Sequence, residues 1–142
     1  MTKDGRTDCG RGTMKRLEAH QLVIAYVEGW KTGTPSQIID TLAPDCVIVE
    51  SHGPTYRGLE IDTRWIEEWL GGGNTVDRWD IASFCFDEVE QTAAFEWAFE
   101  CTADGVRYEI DGMSIVQFED GKIIGLREYR MTEKANEWTG GR

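Results

Sequence analysis

Residues 76–131 read VDRWDIASFCFDEVEQTAAFEWAFECTADGVRYEIDGMSIVQFEDGKIIGLREYRM. Four β-rich runs stand in this stretch, at 76–86, 92–102, 106–118 and 122–131. The gaps between them carry the turn signals Asp87-Glu88, Asp104-Gly105 and Asp120-Gly121. Connections this short join neighbouring strands as antiparallel hairpins, so the four runs predict a meander. Alternation then assigns faces. Trp97, Phe99 and Cys101 share one side of their strand, and Glu96, Ala98 and Glu100 share the other. The apolar set is expected to face a covering layer and a pocket, the two glutamates the convex side.

Upstream the period changes. Over 15–30, Ala19, Val23, Tyr26, Val27 and Trp30 fall on one helical face, and Gly33 stops the helix. A second helix opens with Thr34 as N-cap, Pro35 at its first position and Gln37 placed to close a capping box, and it ends before Pro44. A short strand follows at 46–50, then a loop rich in Gly and Pro at 51–58. A third helix spans 59–70, with Ile61, Trp65 and Trp69 on one face and Gly71-Gly72-Gly73 behind it. Helices gathered first and strands gathered last predict a segregated α+β domain: three N-terminal helices packed on a strongly curved, mainly antiparallel sheet. Two such layers do not close perfectly, and the gap between them is the expected pocket.

At 142 residues the chain suits one domain. The expected organisation is a disordered leader at 1–13, a domain at 14–132 and a flexible tail at 133–142. A net charge of −11, from 26 acidic and 15 basic residues, argues against nucleic acid, which needs clustered Lys and Arg. No run approaches the roughly 18–20 apolar residues of a membrane span, and 1–13 lacks the apolar core of a secretory signal. A cytoplasmic location is the default expectation. Cys9, Cys46, Cys85 and Cys101 are widely spaced and form no C-x-x-C, so no metal and no disulfide framework is expected.

The local pattern is more specific. Glu50-Ser51-His52-Gly53-Pro54 precedes Tyr56, Gly58, Trp65 and Trp69. Further on stand Glu96-Trp97, Asp111-Gly112-Met113-Ser114-Ile115 and Leu126-Arg127-Glu128-Tyr129. With these, 14–132 resembles the SnoaL-like branch of the nuclear transport factor two-like superfamily. The resemblance implies a cone-shaped α+β fold, a homodimer, one deep pocket for a small-molecule ligand or substrate, and no cofactor. It also implies a range of activities that includes ketosteroid isomerases, polyketide cyclases, dehydratases and epoxide hydrolases, besides plain binding proteins. Against the ketosteroid isomerase pattern, Tyr26 takes the place of the oxyanion-hole tyrosine and Glu50 that of the general base. Ser114 stands where that family keeps a protonated aspartic acid. Against the limonene epoxide hydrolases, Glu128 falls on a catalytic carboxylate, while 96–100 lacks the arginine those enzymes need.

The candidate catalytic residues are therefore Glu50, Glu128, Tyr26 and Asp111. The last is included because Gly112 in mid-strand suggests a bulge that would turn Asp111 inward. The candidate substrate-binding residues are His52, Tyr56, Trp65, Trp69, Trp97, Phe99 and Ser114. An inward glutamate needs a partner or takes up a proton, and Arg130, Tyr26 or Ser114 is placed to serve Glu128. The favoured reading is a cofactor-independent acid–base enzyme of isomerase, cyclase or dehydratase type. Its substrate would be a small apolar carbonyl or polycyclic compound. A non-catalytic binding module and an epoxide hydrolase are the alternatives.

Overall fold

The computed structural model describes residues 13–141. The expected leader lies outside the described residues except for Thr13. Helix α1 (Arg16–Thr32) is followed by the short α2 (Pro35–Ile39), β1 (Leu42–Glu50), β2 (Thr55–Arg57) and α3 (Leu59–Gly71). The long strands β3 (Thr75–Asp87), β4 (Thr92–Ala103), β5 (Val106–Glu119) and β6 (Lys122–Arg130) complete the chain. Residues 131–141 are exposed and form no helix or strand.

The six strands make one curved, unclosed sheet in the order β2-β1-β6-β5-β4-β3. The meander is present. Both short turns use paired left-handed residues, Asp104 with Gly105 and Asp120 with Gly121, which match the twist of the flanking strands. A fifth strand joins the meander from far upstream: β1 pairs in parallel with β6. The sheet is thus mixed, and mainly antiparallel.

Curvature has identifiable sources. The β3–β4 register slips between Val76 and Arg78 and again between Ala82 and Cys85, where Ser83 takes a φ of 57°. Bulges of this kind bend a strand and tighten its twist. The bulge expected at Gly112 is absent, and β4–β5 pairing runs unbroken from Thr92↔Gln117 to Ala103↔Val106.

The predicted face of α1 is buried as a unit, with Ala19, Val23, Tyr26, Val27 and Trp30 all inside the core. Beneath them runs a row of side chains across the sheet. Ile48, Leu126, Val116 and Ala93 are register neighbours and all buried. Three local expectations change. Gln37 closes no capping box; its amide donates to the Ala25 carbonyl at 3.1 Å and ties α2 to α1. The first strand begins at Leu42 rather than 46, and its pairing with β6 is irregular between Leu42 and Val47. Pro44, without an N–H, lies in that irregular stretch. On α3 the buried line is Asp62 and Ile66, while Ile61 is exposed.

Asp62 is unusual. Its side chain is fully buried and neither carboxyl oxygen has a hydrogen-bond partner. Burial pushes its pKa up to about 7, and burial together with Asp62 pushes the nearby Cys46 thiol up to about 12. An acid whose pKa is raised by folding favours the fold while protonated, and that contribution fades as pH rises from about 4 through 7. The Asp62→Asn variant is expected to lose less thermal stability than the wild type between pH 5 and pH 8. Parallel melting curves across that range check this, and an identical pH dependence in the two proteins would contradict it.

Candidate active site

The site follows from strand parity and register. Glu50 ends β1 and is the register partner of Glu128 on β6. Side chains paired this way across adjacent strands stand on the same face, with backbones about 4.8 Å apart. Ser114 on β5 and Phe95 on β4 continue the same row. The next row holds Arg130, Gly112 and Trp97, and the one beyond it pairs Ile110 with Phe99. Over these rows lie Tyr26 and Trp30 from α1 and Trp65 and Trp69 from α3. They enclose a cavity of about 340 Å³, near the lower end of the roughly 300–1,000 Å³ usual for ligand pockets. His52, Pro54 and Arg130 line it while remaining exposed, which marks its mouth.

Both acids line this cavity, and neither is in an ion pair with any described residue. Burial, reinforced by the charge of Glu50, pushes Glu128 up to about 8. Arg130, Tyr26 and Ser114 were the expected partners of Glu128; none of them hydrogen-bonds it, and protonation takes the place of a partner. Burial also raises Glu50, but His52, the Tyr56 hydroxyl and Arg130 act against it. The Tyr56 hydroxyl donates to Glu50 at 3.5 Å, a long contact, and burial beside Glu50 pushes that phenol up to about 12. Burial raises Tyr26 well above the ordinary phenol range, with the charge of Glu128 adding to it. Near neutral pH the two environments thus separate two like groups, a protonated Glu128 and a more readily ionised Glu50.

Nine of the eleven candidates stand in the cavity wall, among them Glu50, Glu128, Tyr26, His52 and Tyr56 and the indoles of Trp65, Trp69 and Trp97. Phe99 is the ninth. Asp111 and Ser114 do not. Without a bulge at Gly112, Asp111 stays on the opposite face, exposed. Gly112 instead answers a close approach. A Cβ there would come within 2.3 Å of the Tyr129 carbonyl oxygen and 2.5 Å of the Trp97 ring. Ser114 is fully buried, and its hydroxyl accepts a 2.8 Å hydrogen bond from the Trp97 indole. It positions a cavity wall rather than lining the cavity.

Trp30, on the same helical face as Tyr26, is buried and also lines the cavity. Its spacing of four from Tyr26 is the signal in the sequence, since residues four apart share a helix face. Glu96 and Glu100 lie on the convex side, where Glu100 pairs with Arg78 at 3.0 Å and with Arg107. Among the described residues no three His, Cys, Asp or Glu side chains are grouped to hold a metal ion. No helix among the described residues is long and apolar enough to cross a membrane.

A family model described as a SnoaL-like domain matches residues 23–126. The chain belongs to the SnoaL-like family. Among curated proteins none matches it in sequence. Solved structures resemble this SnoaL-like chain in fold. A protein of unknown function with a cystatin-like fold from Methylobium petroleophilum PM1 is 19% identical, with a TM-score of 0.70 over 90% of this chain and 85% of that one. An LEH-like epoxide hydrolase of M. tuberculosis is 16% identical, with a TM-score of 0.73 over 82% and 84%. SalBIII, an epoxide hydrolase/cyclase-like enzyme in pyran ring formation in the polyether salinomycin, is 14% identical, with a TM-score of 0.70 over 82% and 92%. At these identities the likeness is one of fold, and the SnoaL-like site must be argued from its own residues.

Because Ser114 holds Trp97, the Ser114→Ala variant leaves a buried indole N–H without a partner. A loss of about 1–3 kcal/mol in stability is expected. Urea unfolding of the two proteins measures it, and unchanged stability would place the serine outside the packing network.

Proposed function

We propose that this protein is a cofactor-independent acid–base enzyme acting on a small, largely apolar carbonyl or polycyclic compound. The observation that carries this reading is the register pairing of Glu50 with Glu128 at the wall of one aromatic cavity. Glu50 serves as the base and removes a proton next to the carbonyl. Glu128, protonated up to about pH 8, donates a hydrogen bond or its proton to the oxygen that gains charge, and Tyr26 assists it. The proton taken by Glu50 can return at another carbon, which is isomerisation, or accompany the loss of water or closure of a ring. Trp65, Trp69 and Trp97 hold a flat substrate and keep water away from the acids.

A second reading is favoured by Arg130, which lines the same cavity. In it Glu50 activates water while Glu128 protonates the oxygen of an opening epoxide. The two readings use the acids in the same protonation states and differ in substrate. A pocket that binds without turnover is the outcome that would reject both.

The family also implies a homodimer. The register pair Met113 and Tyr129 is exposed on the convex face of the sheet and offers an apolar patch for a second copy. Sedimentation should give a dimer for the wild type and a monomer for Tyr129→Glu.

The reaction is tested by deuterium uptake from D2O into a panel of aromatic and polycyclic ketones and lactones, alongside epoxide opening. Glu50→Gln is expected to lower the productive rate by about 10²–10⁴-fold. The profile should be bell-shaped: it rises on the acid side as Glu50 ionises, and falls above about pH 8 as Glu128 loses its proton. Glu128→Gln, which keeps a hydrogen-bond donor but no acidic proton, should remove the alkaline fall. Turnover that is indifferent to both substitutions would reject the assignment.

A further inference from the structure

Three of the indoles around the cavity keep their N–H groups out of it. The Trp97 N–H is spent on Ser114 at 2.8 Å, and the Trp30 and Trp79 N–H groups are buried where solvent does not reach them. These rings therefore offer the cavity carbon surface. The surface is continuous: ring centroids stand 5.2 Å apart for Trp30 and Trp65, Tyr26 stands 6.4 Å from Trp30 and 6.1 Å from Trp79, and Trp79 stands 6.4 Å from Trp97 and 5.2 Å from Phe99. Tyr56 stacks on Trp65 at 4.2 Å and extends the wall to Glu50, to which its hydroxyl donates.

Aromatic faces carry the negative side of the ring quadrupole, and the polar groups set into this wall side by side are two carboxyls. The ring faces attract positive charge, and so do the acids once ionised, Glu50 first and Glu128 above about pH 8. The basic groups of the lining are His52 and Arg130, which are exposed at the mouth and form no ion pair with either acid. The chain as a whole carries −11, a field that draws cations in and turns anions away.

We propose that the cavity takes a flat organic cation, a protonated or quaternary nitrogen set in an aromatic or polycyclic frame. The inference rests on the reading of Glu50 and Glu128 as acids that act within one cavity, and it adds the charge of the ligand to that reading. The frame stacks between Trp65 and Trp97 while the charge lies against the ring faces and in the field of the acid pair. Ligands of the same shape with a carboxylate are repelled.

The test compares three near-isosteres by tryptophan fluorescence quenching on the full chain at pH 9, where Glu128 has lost its proton: N-methylquinolinium, 1-methylnaphthalene and 1-naphthoate. The cation is expected to bind at least tenfold more tightly than the hydrocarbon, and the naphthoate at least tenfold more weakly than the cation. In the Glu50→Gln/Glu128→Gln double variant the preference for the cation should fall below about threefold, with hydrocarbon binding kept. The single variants are read alongside, so that a misfolded double variant does not decide the matter; each should lose part of the preference. If the hydrocarbon or the naphthoate binds as well as the cation in the wild type, the charge assignment is wrong and the shared cavity stands. A preference that survives in the single and double variants also overturns it. If none of the three binds, the cavity reading fails, and this inference with it.

Discussion

Parallel pairing of β1 with β6 is the interaction on which the remaining features depend. It joins a strand near the start of the chain to the last one, across the β3–β6 meander and α3. A meander alone would leave β6 as a free edge and would leave Glu128 with no neighbour on that side. The pairing sets Glu50 beside it, and it sets Ile48 beside Leu126 in the core row below. Because the side-chain period in a strand is two, a one-residue slip would turn Glu50 outward and expose Ile48. The core row and the acid pair are thus held in place by the same register.

That register also explains how two glutamates can be kept apart in chemistry while adjacent in space. Each sits in a partly buried position, where a full negative charge is costly. Glu50 has the Tyr56 hydroxyl and the charges of His52 and Arg130 near it. Glu128 has a neighbouring carboxylate and little else. A difference in surroundings, rather than in residue type, therefore makes one group acidic and the other basic. Asp62 follows the same rule in a place the cavity does not reach: with no partner at all, burial alone raises it.

Much of the fold was legible in the sequence because its signals are local. Turn residues marked the hairpins, and the alternation of Trp97 and Phe99 against Glu96 and Glu100 marked the faces. The helical period of Ala19, Val23, Tyr26 and Trp30 marked the buried side of α1. What was not legible depends on contacts between distant segments. Gly112 looked like a bulge because a strand glycine usually signals one, yet the Trp97 ring lying over it cannot be seen from its neighbours in sequence. Ser114 was placed among the ligand contacts for the same reason: its hydroxyl is engaged by a residue seventeen positions away. On α3, Ile61 is exposed and Asp62 is buried beside it. Hydropathy favours the isoleucine inside, yet the buried line of the helix runs through Asp62 and Ile66, while Trp65 and Trp69 still reach the cavity wall.

The bulged strand β3 has a consequence beyond curvature. It is the outermost long strand of an unclosed sheet, thirteen residues with no neighbouring strand on its outer side among the described residues. A flat strand of that length would be a template for another chain to pair with. Here the register breaks twice, Ser83 departs from the extended conformation, and Asp77, Arg78 and Asp80 place charge along the rim. The opposite rim ends in β2, only three residues long. The same distortions that shape a cavity on the concave side leave both rims poorly suited to fibril growth, and the protein can keep an open sheet without inviting aggregation.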